Sequence, residues 1–274
     1  MKALATGPAS ATWLALREPV DARSRSFGLA STVAEGLARS RDVTVHDLGS
    51  GTGSFARWLA PRLTARQRWV LHDRDPDLLG QAASNPPRTP SGEVVPFSTR
   101  LGDLAELRPS NLADASLITT SAMLDVLTRE EVEHLVALVG AVRAPALFSL
   151  TVTGRVRLSP EEPDDAAVRQ AFNSHQRRTA DGRTLLGPDA AGVVTTAARA
   201  RGLQVTAKRT PWVLLPSDGA LLGEWFRGWI DAALEHDPSL APVMDAYRRR
   251  RMAQIRGRRL RVWVDHVDLL VRPR

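Results

Sequence analysis

The chain contains no cysteine. Disulfides, thiolate metal sites and cysteine nucleophiles are excluded together. Long apolar runs are missing too: no stretch approaches the ~20 apolar residues needed to span a bilayer. The first twenty residues are interrupted by Gly7 and Pro8 and lack the apolar centre of a secretory signal. No signal peptide and no membrane partner are therefore expected, and the expected location is cytoplasmic. Lysine is nearly absent, because all but Lys2 and Lys208 of the 37 basic residues are arginines. What is present is ordinary for a globular protein: 43% hydrophobic and 24% charged residues over 274 positions. That length suits one large domain, or a core with an inserted lid.

The net charge of +7 invites a nucleic-acid partner. Arginine-for-lysine bias together with abundant alanine is also what a GC-rich genome produces, whatever the function. The one dense cluster is "YRRRRMAQIRGRRLR", Tyr247 to Arg261. It reads either as a phosphate-contacting patch or as a solvated helix end complementing the helix dipole. The absence of interleaved aromatics favours the second reading.

Hydrophobic periodicity predicts two helical pieces over residues 9–40, the first ended or bent by Pro19 and the second carrying Leu29, Val33 and Leu37 on one face. Strands are predicted at 42–48, 68–75, 96–104, 115–124 and 145–154, with helices between them. Thr128 and Glu131 form a capping box ahead of a stripe of Val132, Leu135, Val136 and Val139. Strand and helix alternate to Gly154, which implies a parallel sheet. Helices then dominate before "RLRVWVDHVDLLVRP" alternates as a closing strand. The expected architecture is a single α/β domain over 1–274, a three-layer Rossmann-like fold with a mostly parallel seven-stranded sheet. It divides into an N-terminal helical cap (1–40), a ligand-binding core (41–154), and helical lid insertions with closing strands after the fifth strand (155–274).

The first strand runs into "HDLGSGTGSF", a glycine-rich turn opening a helix. Such a turn lets a ligand approach the backbone. The dinucleotide fingerprint wants glycine at its sixth position, where Ser54 stands, and the phosphate-binding loop wants a lysine that is not there. Asp47 itself would repel a pyrophosphate. At the end of the second strand Asp73 stands 22 positions after Gly51, placed to accept from a ribose diol. Asp75, followed by Pro76, suits a helix cap.

The run Asp47-Leu48-Gly49-Ser50-Gly51-Thr52-Gly53 resembles the first motif of class I S-adenosylmethionine-dependent methyltransferases of the small-molecule type. The resemblance implies that Asp47 faces the cofactor's amino group, while Gly49, Ser50, Gly51 and Gly53 let it lie across the turn. Asp73, with Arg74 beside it, would take the ribose. "LGDLAEL" is similar to the family's adenine-contacting segment, which implies Asp103 on the exocyclic amine and Leu104 over the ring. "ITTSAMLDVL" is similar to its fourth-strand segment, which puts Thr120 and Ser121 at the methionine end and Leu124 and Asp125 toward the acceptor. An N-terminal helix often covers the cofactor in such enzymes, so Arg17 or Arg25 would pair with its carboxylate, surface salt bridging with Asp21 being the alternative. These segments span 43–127 in order.

Methyl transfer from a sulfonium needs positioning above all, and a base only if the acceptor must lose a proton. The candidates are Asp125 and His175, with Asn173 near the latter and Asp265–His266 as a further pair. His46 and His72 occupy equivalent places on strands expected to be neighbours, their rings about 5 Å apart on one face. With no third ligand evident they read as a buried hydrogen-bonded pair, and no metal is expected. Trp212, Trp225, Phe226 and Trp229 are candidates for an apolar acceptor pocket or for core. The reading is a methyltransferase using S-adenosyl-L-methionine on a small molecule, in specialised metabolism. Its alternatives are an RNA methyltransferase working through the arginine cluster, although no Asn-Pro-Pro-aromatic signature follows the fourth strand, and a protein that binds the cofactor for another reaction.

Overall fold

Seven places in one sheet carry the molecule, and the computed structural model describes residues 9–274 of it. Gly7, Pro8 and Lys2, and with them the start of the cap region and of the signal-peptide reading, lie outside the described residues. The N-terminal segment forms α1 (Ala11–Ser24), capped by Ser10, and α2 (Phe27–Leu37), capped by Ser26. Pro19 does not end the first piece: α1 continues past it, and the break falls at Arg25–Ser26. The consequence is that Arg17 and Asp21 share one helix face and form an ion pair of 2.9 Å.

The core follows as β1 (Asp42–Leu48), α3 (Ser54–Leu59), β2 (Arg66–Asp73), α4 (Pro76–Ser84), β3 (Phe97–Leu101), β4 (Leu117–Ser121), α5 (Arg129–Val142) and β5 (Ala146–Ser159). The predicted capping box at Thr128 and Glu131 is made, and Asp75 caps α4. β5 does not stop at Gly154 but runs on to Ser159, with alternating burial beyond the glycine. After it come α6 (Asp165–Gln176), a small hairpin of β6 (Thr179–Ala180) and β7 (Arg183–Thr184), and α7 (Ala190–Ala200). The chain closes through β8 (Gln204–Arg209), β9 (Trp212–Leu214), α8 (Gly219–His236), α9 (Ala241–Arg256) and β10 (Arg261–Arg272).

The sheet order is β3-β2-β1-β4-β5-β10-β8, with β9 also paired to β10. The first five strands are parallel, and β10 runs antiparallel to its neighbours. The sheet thus has eight strands rather than seven. One place is shared, because Pro211 separates β8 from β9 and the two pair with successive halves of β10.

Alternation distributes the core. Val43, Val45, Trp69 and Leu71 face α2, α3 and α4 on one side, and Leu48, Ile118 and Phe148 face α5 and α7 on the other. A third cluster joins the extended ends of β5 and β10 to α6, α8 and α9 and to Trp13 and Val20 of α1. The extra helices are therefore anchored on the strand extensions, beside the carboxyl ends of β1 and β4.

Candidate functional site

A cavity of about 610 Å³ opens at those carboxyl ends, between the glycine turn, α1, the segment after β4, α6 and the β6–β7 hairpin. This is where the parallel sheet's topology puts a ligand. The turn is pinned from β2: Gly51 N–H donates to Asp73 Oδ2 at 2.7 Å, and Ser50 N–H donates to the His72 carbonyl at 2.9 Å. Gly49 has φ +65°, and a Cβ there would collide with the Met123 sulfur. Gly49→Ala is expected to cost about 1–2 kcal/mol in urea unfolding from the left-handed backbone alone. Adding Met123→Ala should relieve the collision but recover only part of the loss.

Asp47 is 1% exposed. Its Oδ1 accepts from the Thr119 hydroxyl at 2.7 Å, while Oδ2 is buried without a partner. Burial pushes the carboxyl up to about 7, against the Thr119 bond and the Arg25 charge, with Asp73 adding to the rise. Arg25, 2% exposed, stands close by at the end of α1. Its Nη2 donates to Ser121 Oγ at 3.2 Å and Ser54 Oγ at 3.4 Å, while Nε and Nη1 have no partner. Desolvation lowers its pKa, and Asp21 is the charge that opposes this most. The guanidinium stacks over Phe55, 4.9 Å from the ring centre. Arg25 itself lies behind the wall, and Ser54 and Ser121 are on it. Hydroxyls that accept from a guanidinium are left with their own hydrogens to donate into the cavity.

Arg17 is on the wall but is occupied. It is paired to Asp21 and lies over Trp212, 4.8 Å from the ring centre, and Trp212 Nε1–H donates to Asp21 at 2.9 Å. Of the two N-terminal arginines, Arg25 is the one with buried, unpartnered donors and no carboxylate bonded to it. Asp73 accepts from Gly51 and, at 3.0 Å, from Asp75 N–H, which leaves further lone pairs on each oxygen. Arg74 is exposed on the rim. Asp103 is exposed and caps a short 3-10 turn through Ala105 N–H at 2.9 Å, and Leu104 is a half-buried wall residue. Thr120 departs from the expectation. It is buried on the opposite side of β4, its hydroxyl 3.7 Å from Met123 Sδ, and is not on the wall. Strand alternation explains it, since Ser121 and Thr120 cannot share a face. Leu124 is likewise core.

No family model matches the chain, and no curated protein matches it. Solved structures do. The cyclopropane synthase MmaA2 from Mycobacterium tuberculosis is 12% identical, with a TM-score of 0.50 over 96% of this chain and 94% of that one. The mycolic acid cyclopropane synthase CmaA1, complexed with S-adenosylhomocysteine, is 12% identical with a TM-score of 0.48 over 89% and 83%. A phosphoethanolamine N-methyltransferase 2 from Haemonchus contortus is 13% identical with a TM-score of 0.47 over 96% and 57%. The fold is α/β and Rossmann-like, a mostly parallel sheet flanked by helices, as in the MmaA2 structure.

Within that fold, the far side of the cavity is built by residues that the sequence pattern only partly indicates. Asp125 is on the wall, as expected, and burial raises its pKa against the nearby Arg17. His175 is not on the wall. It is buried against α8, its Nε2 3.4 Å from Glu235, and burial lowers its pKa. Phe172 and Gln176, one turn apart on α6, face the cavity in its place. Asn173 is engaged with the Gly154 carbonyl at 2.8 Å. His266 is buried with Nδ1 2.9 Å from the Val264 carbonyl, and burial pushes it down to about 3. Trp225, Phe226 and Trp229 pack in the helical cluster rather than the pocket, and Trp13, Met123 and Arg178 line the wall unforeseen.

Two further groups singled out by the sequence lie away from the cavity. His46 Nδ1 lies 2.9 Å from His72 Nε2, and His46 Nε2 lies 3.0 Å from Asp114. The rings are 5.2 Å apart, offset by two places in register rather than directly opposite. Among the described residues no cluster of three or more His, Asp and Glu is placed to hold a metal ion. Three of the eight arginines between Tyr247 and Arg261 are engaged internally, while Arg249, Arg256, Arg258, Arg259 and Arg261 are exposed and form no ion pair among the described residues. Arg248 pairs with Asp231, Arg250 with Glu162 and Asp164, and the fully buried Arg251 with Asp165 and the Pro160 carbonyl. No described helix is long and apolar enough to cross a membrane.

Proposed function

We propose that the chain is an S-adenosylmethionine-dependent methyltransferase acting on a small-molecule acceptor. One observation carries this reading: opposite charges meet the glycine turn with unused hydrogen-bonding capacity. Asp47 offers a buried, unpartnered carboxylate oxygen, and Arg25 stands behind the Ser54 and Ser121 hydroxyls. A buried pair of that kind suits a zwitterion, ammonium to Asp47 and carboxylate to the serine hydroxyls. Asp73, Asp103 and Leu104 continue the wall in the order ribose and adenine require. The fit supports S-adenosylmethionine over a phosphate-bearing cofactor, which Asp47 would repel.

When bound, the cofactor supplies an activated methyl group: a bond forms from the acceptor atom to the methyl carbon while the carbon–sulfur bond breaks, leaving the electron pair on sulfur. The chain's own residues position and dehydrate the partners. Asp125, alone among the expected bases in facing the cavity, takes the proton from a hydroxyl or amine acceptor. Incubation with methyl-labelled S-adenosylmethionine and a metabolite extract should place label in the small-molecule fraction. Label in RNA, or cofactor cleavage without transfer, would count against the proposal.

Asp47 also gives a pH signature. Its folded pKa of about 7 lies above the ordinary 3.8, so the ligand-free protein holds a proton there that the unfolded chain loses. Stability from this group is present at low pH and is lost as pH rises through 7. An ammonium ligand favours the ionised form. Binding S-adenosylhomocysteine at pH 6 should therefore release up to one proton, and at pH 8.5 almost none. Calorimetry in two buffers of different ionisation enthalpy reads this, and Asp47→Asn should abolish the difference.

A further inference from the structure

The acceptor half of the cavity has charged groups left over once its ion pairs are drawn. Arg17 is matched by Asp21, and Arg183 of the hairpin by Glu131, at 2.9 and 2.7 Å. Asp181 sits exposed at the hairpin tip. Two inward groups remain, Arg178 and Asp125. Arg178 is half-buried on the wall and forms no ion pair among the described residues. Its Nη1 donates to the His175 carbonyl at 3.1 Å, while Nε is buried with no partner. Beside it Gln176 adds an uncommitted amide, and Phe172 and Leu185 give the same wall an apolar surface.

A half-buried guanidinium with no carboxylate partner and an uncommitted Nη2, next to a side-chain amide, is a recognition site for a planar or tetrahedral oxyanion. We propose that the methyl acceptor is a small organic anion, a carboxylate or phosphate on an apolar frame, held by Arg178 and Gln176 with its nucleophilic O–H or N–H turned to Asp125. This rests on the methyltransferase reading. In the transfer the acceptor's O–H or N–H bond breaks, its proton passes to the Asp125 carboxylate, and the freed electron pair forms the new bond to carbon. The acceptor must be compact, because about 610 Å³ serves both it and the cofactor, a volume within the range of a single ligand site.

The test uses the full chain saturated with S-adenosylhomocysteine and titrated with benzoate, phenyl phosphate and benzamide. One of the two anions should bind at least about tenfold more tightly than the neutral amide, and which one it is separates carboxylate from phosphate. Arg178→Gln should erase that preference while leaving S-adenosylhomocysteine affinity unchanged, which also shows that the variant is folded. Asp125→Asn should keep the preference. Equal binding of benzamide, an anion preference that survives in Arg178→Gln, or no anion binding at millimolar concentration overturns the proposal. Failure to bind S-adenosylhomocysteine is a different result: it removes the methyltransferase reading and the acceptor class with it.

Discussion

Arg25→Met is expected to weaken S-adenosylhomocysteine binding by roughly 100-fold, about 3 kcal/mol, the scale for truncating one member of a buried, hydrogen-bonded charge pair. Methionine fills much of the same volume over Phe55 and Trp58, so packing is largely retained while the charge is lost. Two effects then combine. The Ser54 and Ser121 hydroxyls lose the donor that aims their own hydrogens into the cavity. Asp47 loses the nearest cation opposing its protonation, so its pKa should climb further and the ammonium should meet a neutral acid. Arg17→Met makes the comparison. Arg17 is already matched by Asp21 and stacked on Trp212, so its loss should change affinity by less than about threefold. Calorimetry on both variants separates these outcomes, and equal losses would show that the two arginines share the role.

Asp268→Ala is expected to lower stability by about 4 kcal/mol, a fall of roughly 10 °C in melting temperature for a domain of this size. Asp268 is buried on β10 and accepts from three groups: Leu150 N–H at 2.7 Å, Ser26 N–H at 2.8 Å and the Thr210 hydroxyl at 2.9 Å. It thereby ties the start of α2 to β5 and to the strand pair beyond. Leu150 sits at φ +55°, where the β5–β10 pairing shifts register. Without the carboxylate this conformation has no compensating bond. Burial raises the pKa of Asp268 despite its three donors, so the neutral Asp268→Asn should be the milder change, at about half the loss. Since α2 follows directly on Arg25, Asp268→Ala should also weaken cofactor binding more than its distance from the cavity suggests.

The parallel core was legible because its signals are local. Strand alternation, the Thr128–Glu131 box and the turn after Asp47 each depend on residues a few positions apart. What lay beyond reach depended on contacts made across the fold. Pro19 looked like a helix end, yet α1 continues because tertiary packing of Trp13 and Val20 outweighs one lost hydrogen bond. Gly154 looked like a strand end. The alternation Arg155-Val156-Arg157-Leu158 was there to be read as a continuation, with the glycine serving the close approach of Asn173 and Pro188. His175 and Phe172 lie on one helix, and only the position of α8 decides that the histidine faces away from the cavity. Strand alternation between Thr120 and Ser121 was readable, and it should have removed Thr120 from the wall. Arg178 carries no sequence signal, because its value comes from the matching of every other cation around it.

The central claim is that an amino-acid-bearing nucleoside sits with its zwitterionic end between Asp47 and the serine hydroxyls backed by Arg25. A crystal structure with S-adenosylhomocysteine bound tests it most directly. The ammonium should lie within hydrogen-bond distance of Asp47, the carboxylate on Ser54 and Ser121, and the sulfur should turn toward Met123 and Asp125. An amino-acid end lying elsewhere, with Asp47 and Arg25 both untouched, would contradict it.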